Sequence, residues 1–244
     1  MPKFARTAAA AVCWALAVTP AFALDGGPYG EVKIAVPQKP PRGYVVLFSD
    51  SGGWTSKDDA RLEAIARAGA LAVGVDTDAY IDRAARPAPR CLQLLGDAEG
   101  LGRQLQRQNA GKEYYLPILA GVGRGGALAG AILGQAPVGT IAGAVSIDPW
   151  NSVGATRDFC PRVPTQDDAG EPRIFGVPIL KSFWKVALSP SASAARSGHF
   201  VTLSELVPQL EVRQLQTDPD ADTIESLVAQ ECDRPFHAPK PDKQ

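Results

Sequence analysis

The chain has 244 residues, 45% of them hydrophobic and only 21% charged, with 24 Gly and 21 Pro. That is long enough to enclose one sizeable core and too apolar for intrinsic disorder. Lys+Arg 25 against Asp+Glu 26 gives a net charge of -1, so no basic surface points to nucleic acid or to an anionic membrane face. His199 and His237 are the two imidazoles available to catalysis or to a metal.

Lys3 and Arg6 precede an apolar run from Ala8 to Val18; Thr19-Pro20 then breaks the run, and Ala21 and Ala23 place small residues at the -3 and -1 positions of a cleavage site before Leu24. Residues 1–23 therefore read as a secretory signal peptide and residues 24–232 as a single folded domain. The run is too short to cross a bilayer, and no later stretch approaches the ~20 apolar residues a transmembrane helix needs. Cys13 is a poor lipoprotein site, since Ala10-Ala11-Val12 lacks the usual upstream Leu. Cleavage leaves Cys91, Cys160 and Cys232. An odd number in an oxidising compartment predicts one disulfide and one remaining thiol, and the absence of a CxxC pair argues against zinc.

Tyr44 to Ser49 is a continuous apolar, β-rich run ended by Asp50-Ser51-Gly52-Gly53, which suits a strand buried on both faces of a parallel sheet. Ser56 caps a helix with Asp58 and Asp59 in its first turn and Leu62 and Ile65 inward, up to Gly69. Leu71 to Val75 forms the next strand, and Cys91 to Gln108 a helix. Tyr115 to Gly121 is a third strand, Ala127 to Leu133 a small-residue helix, and Ile141 to Ile147 a fourth strand. Residues 151–176 show no period and read as a long rim loop, either a lid or a partner surface. Phe183 to Leu188 and Leu210 to Leu215 are the last two strands, and Ala221 to Glu231 the closing helix; residues 233–244 form a Pro-rich tail expected to lack structure. The alternation predicts an α/β fold with a doubly wound, mostly parallel sheet.

In such a sheet, ligands bind beyond the carboxyl ends of the strands. The rim segments are then Asp50 to Trp54, Asp76 to Tyr80, Gly121 to Gly126, Asp148 to Asn151, Ser189 and Thr217-Asp218. Gly121-Val122-Gly123-Arg124-Gly125 lies between a strand and a helix, where an α/β-hydrolase carries its G-x-S-x-G nucleophile elbow. The central position is Gly123, which has no side chain and cannot attack a carbonyl.

These residues resemble the VirJ/AcvB bacterial virulence proteins, periplasmic members of the α/β-hydrolase superfamily. The resemblance covers roughly Tyr44 to Pro149 and rests on Phe48-Ser49-Asp50-Ser51-Gly52-Gly53-Trp54, similar to that family's strand-end S-G-D-G-G-W loop, on Gly74-Val75-Asp76 with Tyr80, and on the elbow segment. It implies a periplasmic protein without a cofactor. It also implies, for active members, hydrolysis of aminoacyl-phosphatidylglycerol by a Ser at the position of Gly123 and a His after the final strand. Thr217-Asp218-Pro219-Asp220 stands where active members show a Gly-His-His-Phe-like run. The chain is accordingly more similar to the degenerate first domain of tandem members. The implied partners are a catalytic VirJ-type hydrolase, an envelope protein complex or an anionic lipid headgroup; the alternative is an active serine-type hydrolase.

Other rim residues admit two readings. His199, in Ser197-Gly198-His199-Phe200, falls before the last strand and reads as a locally bonded side chain, a ligand contact or a misplaced catalytic imidazole. Ser51 is a weak nucleophile candidate, since its loop normally supplies backbone donors. Arg124 and the glycine turn would hold a phosphate or carboxylate, or else pack the turn with Arg124 solvated. Asp76, Asp78 and Asp148 would bind a divalent cation, or cap helices and pair with Arg83, Arg86 or Arg90. Trp54, Tyr80 and Trp150 line a rim pocket or pack at the core edge. Cys91 and Cys160 both fall on the carboxyl side of the sheet and Cys232 on the other, which favours the Cys91–Cys160 disulfide, although sequence alone does not fix connectivity.

Overall fold

The runs Gly43–Phe48, Ala70–Val75 and Pro117–Val122 carry apolar residues or glycine at every position, and only a site covered on both faces can bury all of them. In a computed structural model, which describes residues 22–86, 91–109, 113–154, 159–160, 163–168 and 171–232, all three are strands buried along their whole length. The strands in chain order are β1 (Phe22–Asp25), β2 (Glu31–Ala35), β3 (Gly43–Phe48), β4 (Ala70–Val75), β5 (Pro117–Val122), β6 (Gly143–Ile147), β7 (Thr165–Asp168), β8 (Glu171–Phe175), β9 (Phe183–Leu188) and β10 (Leu210–Gln214). The helices are α1 (Ser56–Arg67), α2 (Thr77–Ala85), α3 (Leu94–Asn109), α4 (Gly123–Gln135), α5 (Ala194–Leu206) and α6 (Ala221–Cys232).

Eight strands form one sheet in the order β1-β2-β4-β3-β5-β6-β9-β10. β2 is antiparallel to both neighbours, and the strands from β4 to β10 are mutually parallel. One face packs Val46, Leu119 and Trp184 against Leu101 of α3, Leu128 of α4 and Phe200 of α5. The other packs Val45, Leu47 and Ile118 against Leu62 and Ile65 of α1 and Ile224 and Val228 of α6. The predicted doubly wound, mostly parallel α/β domain is therefore the fold. Among the described residues, no helix is long and apolar enough to cross a membrane.

Four segments differ from the sequence reading. β1 and β2 add an antiparallel edge that short, half-polar segments did not announce, and β1 straddles the predicted cleavage position, with Leu24 and Asp25 paired to Val32 and Glu31. Asp76 begins a helix rather than a loop, because its carboxylate accepts from Ala79 N and caps α2. Residues 151–176, read as an irregular rim, include the antiparallel hairpin β7–β8. The connection before β10 is the helix α5, capped by Ser193. Residues 1–21 and 233–244, which hold most of the signal segment and the tail with His237, lie outside the described residues.

Cys91 and Cys160 form a disulfide with Cα atoms 5.5 Å apart, and Cys160 N donates to Leu92 O at 2.8 Å beside it. Cys91 precedes α3 rather than opening it. The bond ties the approach to α3 to the segment after β6, whereas Cys232 ends α6 buried against Gly43 at the opposite edge of the sheet. The bond closes a loop with a sequence separation of 69, for which chain entropy gives about 4.4 kcal/mol of stabilisation. Replacing Cys91 and Cys160 by Ser is expected to lower the urea midpoint by the corresponding amount, and an unchanged midpoint would contradict it.

Candidate functional site at the carboxyl edge of the sheet

The turn from β5 into α4 is built from glycines because side chains have no room there. A Cβ on Gly121 would lie 2.3 Å from the backbone of Gly125, and one on Gly125 would lie 2.2 Å from Ser49 O. The two glycines thus let the first turn of α4 press on the end of β3. Between them Gly123 adopts φ +54, a left-handed conformation disfavoured for residues with a Cβ. A strand–sharp turn–helix of this kind is the geometry a nucleophile elbow uses, and Gly123 takes the central position of the turn.

The space in front of Gly123 is filled by Asp50. A Cβ on Gly123 would lie 2.0 Å from Asp50 Oδ1 and 2.2 Å from Asp50 Cγ. Asp50 Oδ1 accepts from Arg124 N at 2.8 Å and from Ser51 N at 2.7 Å. In an active elbow, the N–H after the nucleophile and an N–H of the loop after β3 make the oxyanion hole. Here both kinds of donor point at the chain's own carboxylate. Asp50 was not singled out from sequence; the only signal was an acid beside a Gly pair at a strand end.

The neighbouring rim residues are tied to one another. Arg124 Nη1 pairs with Asp78 Oδ1 at 2.6 Å, and Arg124 Nε donates to Val153 O at 2.7 Å. Asp78 Oδ2 accepts from Gly52 N at 2.8 Å, fixing the glycine loop. Asp76 Oδ2 accepts from Trp54 N at 3.2 Å while its Oδ1 caps α2. Ser51 and Gly52 are exposed and Gly53 is half-buried. Ser49, by contrast, is buried; its Oγ accepts from Thr77 N, and its carbonyl accepts from Thr77 Oγ1. Among the described residues, no group of three His, Cys, Asp or Glu side chains is placed to hold a metal. Asp148 lies apart at the end of β6 with φ 46, held there by Ser189 N donating to its Oδ1 at 2.7 Å. Such a conformation in a residue with a side chain is strained unless its surroundings impose it.

Tyr80, expected on the rim, lies in the core. It is on the inner side of α2, fully buried, with its ring 4.4 Å from that of Tyr29 and its hydroxyl donating to Asp97 at 2.8 Å. The helical turn from Asp76 rotates it inward, where burial pushes its hydroxyl pKa well above the ordinary range. Trp54 is half-buried against α1 and donates from Nε1 to Asp59 at 2.8 Å. The Trp150 side chain packs against the core, and its backbone N–H donates to Gly123 O at 3.1 Å. Arg83 donates to Tyr29 O rather than to a rim acid.

Among the described residues, none with an imidazole follows β10. Asp220 Oδ1 instead accepts from Thr223 N at 2.9 Å and caps the entry to α6. His199 is half-buried within α5, ahead of β10, and its Nε2 is enclosed with no hydrogen-bond partner among the described residues. Among the described residues, the edge holds a glycine turn, its N–H donors and acids, with no side chain at Gly123 and no histidine after the last strand.

No sequence-family model matches the chain, and neither does any curated protein. Many solved structures share its fold. A hormone-sensitive lipase from a metagenome library is similar at a TM-score of 0.57 and 18% identity, over 88% of this chain and 84% of that one. An esterase of the bacterial hormone-sensitive lipase family is similar at 0.56 and 13% identity, over 88% and 83%. A dienelactone hydrolase from Anabaena variabilis is similar at 0.55 and 14% identity, over 86% and 95%. At these identities the likeness establishes an α/β-hydrolase fold.

Burial holds the His199 imidazole below its ordinary pKa. The unfolded chain then binds the proton more readily, so stability contributed by neutral His199 is intact above about pH 6.5 and declines as pH falls below it. His199→Gln is expected to flatten the stability profile between about pH 7 and pH 5 relative to the parent, measured by urea unfolding; parallel profiles would contradict this.

Proposed function

We propose that this chain is an exported, catalytically degenerate α/β-hydrolase-fold protein, similar to the non-catalytic VirJ/AcvB domain, acting in the bacterial periplasm as an accessory or binding module. Its partner on this reading is a catalytic VirJ-type hydrolase or an envelope protein complex, and an anionic lipid headgroup is the ligand class in keeping with that setting. The observation that carries the proposal is the elbow itself: Gly123 stands at the nucleophile's position, and the Asp50 carboxylate fills the space where a nucleophile's side chain would be. Removing the nucleophile alone lowers kcat about a millionfold in a serine protease, so the remaining donors do not sustain useful turnover.

Incubation of the purified protein with a fluorophosphonate that labels activated serines is expected to leave the intact mass unchanged. A stoichiometric adduct mapped to a serine would overturn the proposal and favour a serine-type hydrolase of aminoacyl-phosphatidylglycerol.

A further inference from the structure

We infer that Asp50 is a built-in occupant of the elbow's oxyanion hole, a contact in which the chain's own carboxylate takes the position that a small carboxylate would otherwise hold. Three observations converge on it. The donors are the two kinds that form the hole in active members of the fold, Arg124 N at 2.8 Å and Ser51 N at 2.7 Å, and both reach the same atom, Asp50 Oδ1. That oxygen lies 2.0 Å from where a Cβ on Gly123 would be, so the carboxylate occupies the volume of the missing nucleophile as well as its anion cradle. The loop carrying Asp50 is pinned from the other side, by Gly52 N on Asp78 and by Asp78 on Arg124, so the carboxylate is delivered to the hole by a fixed arrangement.

The chemistry follows from charge. Two N–H groups at the start of α4 and in the loop after β3, aided by the helix dipole, favour a carboxylate oxygen over a neutral acceptor. With Asp50 in place, an external carboxylate would have to displace a partner attached to the same chain at high effective concentration. The resting elbow is therefore closed to small anions, and truncating Asp50 opens it. This inference rests on the same reading of Gly123 as the proposed function; the fluorophosphonate result bears on the loss of catalysis, and the experiment below bears on Asp50.

The probe is sodium formate, with sodium chloride at matched ionic strength as the control. In D50G, formate fills the vacated hole and is expected to raise the thermal midpoint saturably over chloride, by about 3 °C near tenfold excess over its dissociation constant. The parent is expected not to respond. In D50N the amide oxygen still accepts both N–H groups and the volume stays filled, so this variant is also expected not to respond. Should D50G fail to fold in buffer, recovery of native signal on refolding in formate but not in chloride supports the same conclusion, with D50A as the second truncation. A formate response in the parent equal to that of D50G would overturn the inference. So would no saturable formate effect in D50G and D50A, whether folded or refolded.

Discussion

The approach of the β5–α4 turn to the end of β3 is the constraint on which the rest of this edge depends. Gly121 and Gly125 bring backbone to within contact distance, and between them Gly123 takes a left-handed conformation against the Asp50 side chain. Such a turn exposes N–H groups at a helix start with no partner in the helix, and buried donors need one. In a hydrolase that partner arrives with the substrate. In this chain it is Asp50, and every neighbouring contact supports that substitution: Asp78 holds Gly52 and Arg124, and Asp76 holds Trp54 while capping α2.

The same logic explains why the rim acids do not form a site of their own. Asp76 and Asp78 are each committed to backbone N–H groups or to Arg124. Asp148 is committed to Ser189 across the β6–β9 ends. Carboxylates used in this way stabilise loop geometry, which an irregular edge requires because its backbone groups have no ladder to join. The edge thus has the architecture of the α/β-hydrolase fold while its polar groups satisfy one another, and the disulfide from Cys91 to Cys160 ties the approach to α3 to the segment after β6.

Much of this was legible in the sequence, for physical reasons that differ between elements. Gly43–Phe48 and Pro117–Val122 were readable because a strand buried on both faces leaves an unbroken apolar run, and the turn because glycines at 121, 123 and 125 between a strand and a helix mark a backbone with no room for side chains. β2 was not readable, since its five residues place Glu31 and Lys33 among the apolar ones and leave no unbroken apolar run. α5 buries chiefly Phe200 and Leu203, too few to show a period. Tyr80 was misplaced because the cap at Asp76 turns the chain into a helix directly after β4, and an aromatic four residues after that cap then points inward. The role of Asp50 was hidden for another reason: its partner Arg124 is 74 positions away, and no local pattern encodes such a contact.

The central claim is that the Asp50 carboxylate and a side chain at position 123 compete for one volume. A double-mutant cycle in urea unfolding with Gly123→Ser, Asp50→Gly and the double variant tests it most directly. Gly123→Ser in the parent must expel Asp50 from two charge-assisted hydrogen bonds and is expected to cost about 2–3 kcal/mol. In the Asp50→Gly background the same change should cost at least about 1 kcal/mol less, its remainder being the strain of a Cβ at positive φ. Equal costs in the two backgrounds would mean that position 123 and Asp50 do not share that space, and would contradict the account.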